Sequence, residues 1–223
     1  MTYGQLFQYI INLKQVPDYS TISLIATGLE KNIYYGIYAM FVELIDPETR
    51  LCAIDATALR SSKYDTEAKF CQGTRLDSYK GYKLHCITTI TDNIIPLVFD
   101  LKTANVYDNQ VPNLLYEAKT YTPFSILADA AYDDELWFDV SNNLELNLLT
   151  DINMRNSKSI DSFSHVRYTN ALFIESPIGL KLYKNRLKIE QLFSVLKRLY
   201  NLENPRLYGV VSGTLVSTSM FQI

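Results

Sequence analysis

The sequence has no apolar run long enough to cross a bilayer. Its longest, Tyr34 to Val42, falls far short of the ~20 residues a spanning helix needs. The start of the chain has neither the charged opening nor the small-residue cleavage site of a secretory signal, so a cytoplasmic protein without a membrane partner is expected. Cysteine is scarce. Cys52, Cys71 and Cys86 are odd in number and follow no CxxC or other ligand spacing, which excludes a disulfide framework and a thiolate metal site and leaves three free thiols. Histidine is scarcer, at His85 and His165, and neither has partner ligands nearby in sequence, so both read as structural or solvated. Repeats, low-complexity tracts and long linkers are absent. So is an overall positive charge: the formal net charge is −3.

What is present is an ordinary globular composition, 48% hydrophobic and 20% charged, in 223 residues, enough for one good core. The net charge hides two basic stretches. Between Lys181 and Arg198 six basic residues accompany one acid, Glu190, and between Arg60 and Lys83 six basic residues accompany three acids. Such runs commonly solvate an exposed face. The spacing around Glu190 shifts that reading toward phosphate contacts.

Residues 1–46 read as a short helical N-terminal region: GQLFQYIINLK, a turn at Pro17, Asp18 and Ser20, then a second helical segment through Ile45. From Leu51 the pattern becomes strand-like. LCAIDATA reads as a central strand, and YKLHCITTIT, Asp92-Asn93 and IIPLVFDLK read as a hairpin. Helical spacing follows over Tyr107 to Lys119, then a buried strand, FSILADA, that ends at a carboxylate. A helix over 135–142, a strand over 144–150 and a partly β-like stretch containing HVRYTNALFIES come next. A long helix is expected from Lys181 to about Tyr200, with Pro205 beyond its end. The expected class is α/β, a mixed sheet flanked by helices in a ribonuclease-H-like order. Residues 47–223 would form the catalytic domain, with a β-rich insertion near 153–180.

The segment YKNRLKIEQLFSVLK, from Tyr183 to Lys197, carries the most information. Tyr183, Arg186, Glu190 and Lys197 fall at intervals of three, four and seven residues. At about 3.6 residues per turn these share one face of a helix, beside an apolar face of Ile189, Leu192, Phe193, Leu196 and Leu199. Asp55 in LCAIDAT and Asp129 in SILADAAY each follow a short apolar run. An unpaired carboxylate inside such a run is costly, which argues against a mere turn residue at Asp55. Two strand-borne aspartates and one helix-borne glutamate are the hard oxygen donors of a two-metal phosphoryl-transfer site. Each residue alone has an ordinary reading: a loop start for Asp129, an i,i+4 ion pair with Arg186 for Glu190, core packing for Tyr183 and Trp137, and capping for Asp108.

Taken together, these segments resemble the DDE transposases of prokaryotic insertion sequences, in particular the IS4-like group. That group's signature, Tyr, two residues, Arg, three residues, Glu, six residues, Lys, is met in full. IDAT around Asp55, YKGYKLH from Tyr79 to His85, TANVYDNQ from Thr103 to Gln110 and LADAAYDD around Asp129 resemble further family segments, in order, over roughly 51–208. The resemblance implies Asp55, Asp129 and Glu190 as catalytic and metal-binding residues for two Mg²⁺ or Mn²⁺ ions, with Asp55 bridging both. It implies Tyr183, Arg186 and Lys197 as DNA contacts. The partners it implies are double-stranded DNA, as terminal inverted repeats and target, and a second copy of the chain on that DNA. Two alternatives are a transposase-derived DNA-binding protein without catalysis and a ribonuclease-H-like nuclease with another substrate. Only 54 residues precede Asp55 and 33 follow Glu190. Fewer than this group usually carries, they lead to an expectation of weak sequence preference in DNA binding.

Overall fold

The computed structural model describes Asp18 and residues 31–71, 78–153, 163–199 and 202. The first expected helix, the turn around Asp18 and Pro205 fall wholly or mostly outside them. Helix α1 (Lys31–Ile45) is the described part of the N-terminal region. Six strands follow: β1 (Leu51–Arg60), β2 (Lys69–Cys71), β3 (Tyr79–Thr89), β4 (Pro96–Thr103), β5 (Ser125–Ala128) and β6 (Asn147–Thr150). Between and after them lie α2 (Asn113–Lys119), α3 (Glu135–Asn143), α4 (His165–Glu175), α5 (Pro177–Tyr183) and α6 (Lys188–Leu199). No described helix is long and apolar enough to cross a membrane.

The strands form one mixed sheet. β3 pairs antiparallel with β1 on one side and with β4 and the short β2 on the other, while β5 runs parallel to β1 and β6 parallel to β5. The order β4-β3-β1-β5-β6, three antiparallel strands and then two parallel ones, is the ribonuclease-H-like order expected from the sequence. β1 is central, and its Cys52, Ala53 and Ile54 are fully buried, which explains their continuous apolar run. The β3–β4 hairpin forms as read. From β4, Phe99 packs against Tyr35 and Tyr38 of α1 at ring-centroid distances of 5.3 and 5.4 Å, and the Tyr38 hydroxyl donates to the Pro96 carbonyl.

Two readings are corrected. The stretch 163–180 is not β-rich: it forms α4 and the start of α5, each begun by a serine. Ser164 accepts a hydrogen bond from Arg167 N, and Ser176 accepts one from Gly179 N ahead of Pro177 at the first helical position. The buried positions of α4 are Arg167, Asn170, Ala171 and Ile174, spaced i, i+3, i+4 and i+7. The period is helical, but two of the four buried residues are polar, so hydrophobicity alone hides it. The α4–α5 corner is tight. A Cβ on Gly179 would lie 1.9 Å from the Phe173 carbonyl oxygen, and Gly179→Ala is expected to shift this corner and lower the thermal midpoint by several degrees.

The second correction concerns the helix expected to run unbroken from Lys181. A 3-10 turn, Lys184–Leu187, separates α5 from α6. Tyr183 and Arg186 therefore do not continue the face that Glu190 and Lys197 share.

Candidate active site

The parallel ladder between β1 and β5 pairs Leu51 with Ser125, Cys52 with Ile126 and Ala53 with Leu127. Two residues further along both strands stand Asp55 and Asp129. Successive side chains alternate faces, so the two carboxylates emerge on one face, Asp55 from the middle of β1 and Asp129 from the residue just past β5. Residues 74 apart in sequence are brought together by register alone. Asp55 Oδ1 accepts from Ala56 N at 2.8 Å, and Asp129 Oδ1 accepts from Ala131 N at 2.9 Å, so each carboxylate is aimed by its own backbone.

Burial dominates the electrostatics here. It pushes the Asp55 carboxyl up to about 7, with the neighbouring Asp129 charge adding to the rise, while the Ala56 N–H and Arg186 oppose it. Asp129 is raised for the same first reason. Arg186 Nη1 lies 3.8 Å from Asp55 Oδ2, with about a fifth of each side chain exposed, so the pair is a loose one.

Glu190 is exposed at the start of α6, with Ile189, Phe193 and Leu196 of that helix in the core. A cavity of about 620 Å³ runs between β1 and α6. Asp55 and Thr57 line one wall, and Glu190, Ser194, Lys197 and Arg198 line the other. Asp55, Glu190 and Lys197 thus share one space. Among the described residues, however, no three His, Cys, Asp or Glu side chains converge closely enough to hold one metal ion. Asp55 and Asp129 form the preassembled pair, and Glu190 stands across the cavity.

The other acids beside Asp129 are engaged elsewhere. Asp133 is fully buried at its carboxylate and held by Arg167. Asp134 caps α3 through Leu136 N and accepts from Asn109 Nδ2. Asp129 is the acid of LADAAYDD that faces Asp55. Tyr183, expected as a DNA contact, bonds within the protein here. It is half-buried, its hydroxyl donates to Ala128 O at 2.8 Å and accepts from Asp151 N at 3.2 Å. With its one proton committed to the end of β5, Tyr183 supports the strand that carries Asp129. His85 is fully buried with neither ring nitrogen hydrogen-bonded, and burial lowers it to about 4, which keeps it neutral in the core. Trp137 is likewise core, its indole N–H donating to Asn109 O at 2.7 Å. Asp108 opens a 3-10 turn and accepts from Lys83 at 3.0 Å, a structural role.

Sequence reasoning did not single out Thr150, Asn170, Arg167 or Asp133, which surround the Asp129 backbone. Thr150 Oγ1 donates to Asp129 O at 2.6 Å, and the Asn170 side chain bonds both the N–H and the carbonyl of Thr150. The one available signal was a pair of polar residues, Arg167 and Asn170, at helical spacing.

The raised Asp55 value has a consequence for stability. Its folded carboxyl binds a proton up to about pH 7, whereas unfolded it releases it near pH 4. Between those values the folded state holds more protons, so the stability of the metal-free protein falls as pH rises from about 4 to 7. Urea unfolding across that window is expected to show this decline, flattened in Asp55→Asn. An equal decline in both proteins would rule out Asp55 as its source.

The profile of the family described as "Transposase DDE domain" matches residues 46–212. No curated protein matches the chain. Among solved structures, the catalytic domain of Mos1 mariner transposase is similar at 9% identity over 86% of this chain and 88% of that one, with a TM-score of 0.31. The Mos1 transposase paired-end complex with left transposon end is similar at 8% identity over 86% and 59%, with a TM-score of 0.32. Likenesses this slight carry no inference about activity.

Proposed function

This chain belongs to the transposase DDE-domain family, and we propose that it cuts and joins DNA strands at the ends of an insertion sequence of the IS4-like group, using Asp55, Asp129 and Glu190. The observation that carries the reading is the register that sets Asp129, just past β5, beside Asp55 of β1, with Asp55 lining a cavity whose far wall bears Glu190, Lys197 and Arg198.

The donor set suits a hard divalent cation. Two carboxylates are held side by side in a partly buried setting that disfavours their charge, each has one oxygen tied to a backbone N–H, and Arg186 offsets the charge only loosely. Mg²⁺ or Mn²⁺, as two ions, would there activate a water or 3′-hydroxyl and neutralise charge on the phosphate. Asp55 on β1 and Asp129 beside it would hold this charge. Glu190, on the facing wall of the cavity, would complete the set from α6. The side chains of Lys197 and Arg198 border the same space, Arg186 lies beside Asp55, and all three would meet the phosphates of the strand being cut.

The proposed substrates are terminal inverted repeats and target DNA, bound by a homodimer, in the cytoplasm on nucleoid DNA. Cleavage of an end duplex is expected with Mg²⁺ or Mn²⁺ and none with EDTA. Binding that is equally tight with no cleavage in either metal would favour the non-catalytic alternative. Cleavage indifferent to the duplex end would favour a nuclease with another substrate.

Lys197→Ala is expected to weaken DNA binding and reduce the slope of log affinity against log salt by about one phosphate contact. Folding is expected to hold, since Lys197 lies beside the buried face of α6 and not on it. An unchanged affinity and slope across a salt titration would remove this residue from the DNA surface.

A further inference from the structure

We propose that Arg167 and Asn170, the two buried polar residues of α4, are positioning residues that aim the Asp129 carboxylate at a divalent cation. The inference rests on the reading of Asp129 as a metal ligand.

The contacts form two chains that start on one helix, one turn apart, and close on either side of the Asp129 side chain. In the first, Arg167 grips Asp133 with a fork: Nε donates to Oδ1 at 2.8 Å and Nη2 to Oδ2 at 2.6 Å. Its guanidinium stacks 3.8 Å from the Phe163 ring, and Asp133 Oδ2 also accepts from Asn153 N at 2.7 Å. Asp133 ends the turn Ala130–Tyr132, and the Ala131 N–H of that turn is the donor that fixes Asp129 Oδ1. In the second chain, Asn170 Oδ1 accepts from Thr150 N at 3.1 Å and its Nδ2 donates to Thr150 O at 2.9 Å. Thr150 in turn donates its hydroxyl to the Asp129 carbonyl at 2.6 Å. One chain sets the carboxylate's donor and the other sets the backbone that bears it.

Stability alone does not explain this choice of residues. Arg167 and Asp133 are 9% and 0% exposed at their side chains, and a buried ion pair is commonly no more stabilising than apolar residues of the same volume. What the fork and the two-point amide supply is direction, as partners behind a metal ligand do.

The test uses the full chain and Mn²⁺ as the probe. Thr150→Val removes the hydroxyl at nearly constant volume, Arg167→Lys keeps the charge and loses the fork, and Asp129→Asn is the control. Mn²⁺ affinity is measured by calorimetry, the Mn²⁺ half-saturation of cleavage by titration, and the thermal midpoint in EDTA. Thr150→Val and Arg167→Lys are each expected to lose tenfold or more in Mn²⁺ affinity while folded at the assay temperature. The half-saturation point should rise equally, with cleavage recovered at high Mn²⁺, which a merely structural defect would not show. Should Arg167→Lys fail to fold, Thr150→Val decides by the same measurements. Folded Thr150→Val binding Mn²⁺ within twofold of wild type, while Asp129→Asn does not bind, overturns the inference and leaves the metal-ligand reading intact. Failure of both variants to fold overturns it as well, since the residues would then be props of the fold. Equal Mn²⁺ binding by wild type and Asp129→Asn removes the metal-ligand reading and the inference with it.

Discussion

Asp55→Asn is expected to slow metal-dependent DNA cleavage by about a thousandfold, some 4 kcal/mol of barrier at 1.36 kcal/mol per factor of ten. The amide has the size of the carboxylate and keeps an oxygen to accept from Ala56 N, so the strand is not disturbed. What it loses is the negative charge a cation needs. The fold stands to gain by the change, because burial and the neighbouring Asp129 both work against that charge. The thermal midpoint of Asp55→Asn in EDTA near pH 8 should therefore equal or exceed that of wild type, where a residue serving structure would lower it. Activity and stability are expected to move apart. Asp55→Asn protein that cleaves an end duplex as fast as wild type would end the assignment of Asp55, whatever its stability.

The parts of the site set by strand register were legible in the sequence, because an apolar run ending in a carboxylate fixes both the strand and where its acid emerges. Asp55 and Asp129 were singled out this way, and the β1–β5 register, continued two residues past Ala53 and Leu127, sets them side by side. Glu190 and Lys197 were legible because their neighbours Ile189, Phe193 and Leu196 follow a clear helical period and are buried. Tyr183 stands off the predicted face for a specific reason. The period that links it to Glu190 assumes a continuous helix, and the 3-10 turn at 184–187 breaks that helix with no proline or glycine to mark it. Helix α4 was missed because its buried face spends two of four positions on Arg167 and Asn170. Hydrophobic patterning sees a core built of apolar contacts. It is blind to a helix face whose role is to hold hydrogen bonds, and here that face lies behind a proposed metal ligand.

Removing one side of the fork should show how much depends on it. Asp133→Ala is expected to destabilise the protein by about 3–5 kcal/mol, because it takes the forked carboxylate away from the buried Arg167 charge, and Glu135, 3.5 Å away, is half-exposed. Against a total of roughly 5–15 kcal/mol for a domain, that is a large share. The double variant Asp133→Leu with Arg167→Met removes both charges and refills the space, and it should return most of the lost stability. Urea unfolding of the three proteins measures both differences. A cost below about 1 kcal/mol for Asp133→Ala would mean that water already screens the pair, as it does at a surface. The double variant also separates folding from positioning. An apolar pair restores packing but gives no fixed direction to the turn that aims Asp129, so its Mn²⁺ affinity should stay tenfold or more below wild type while its stability recovers.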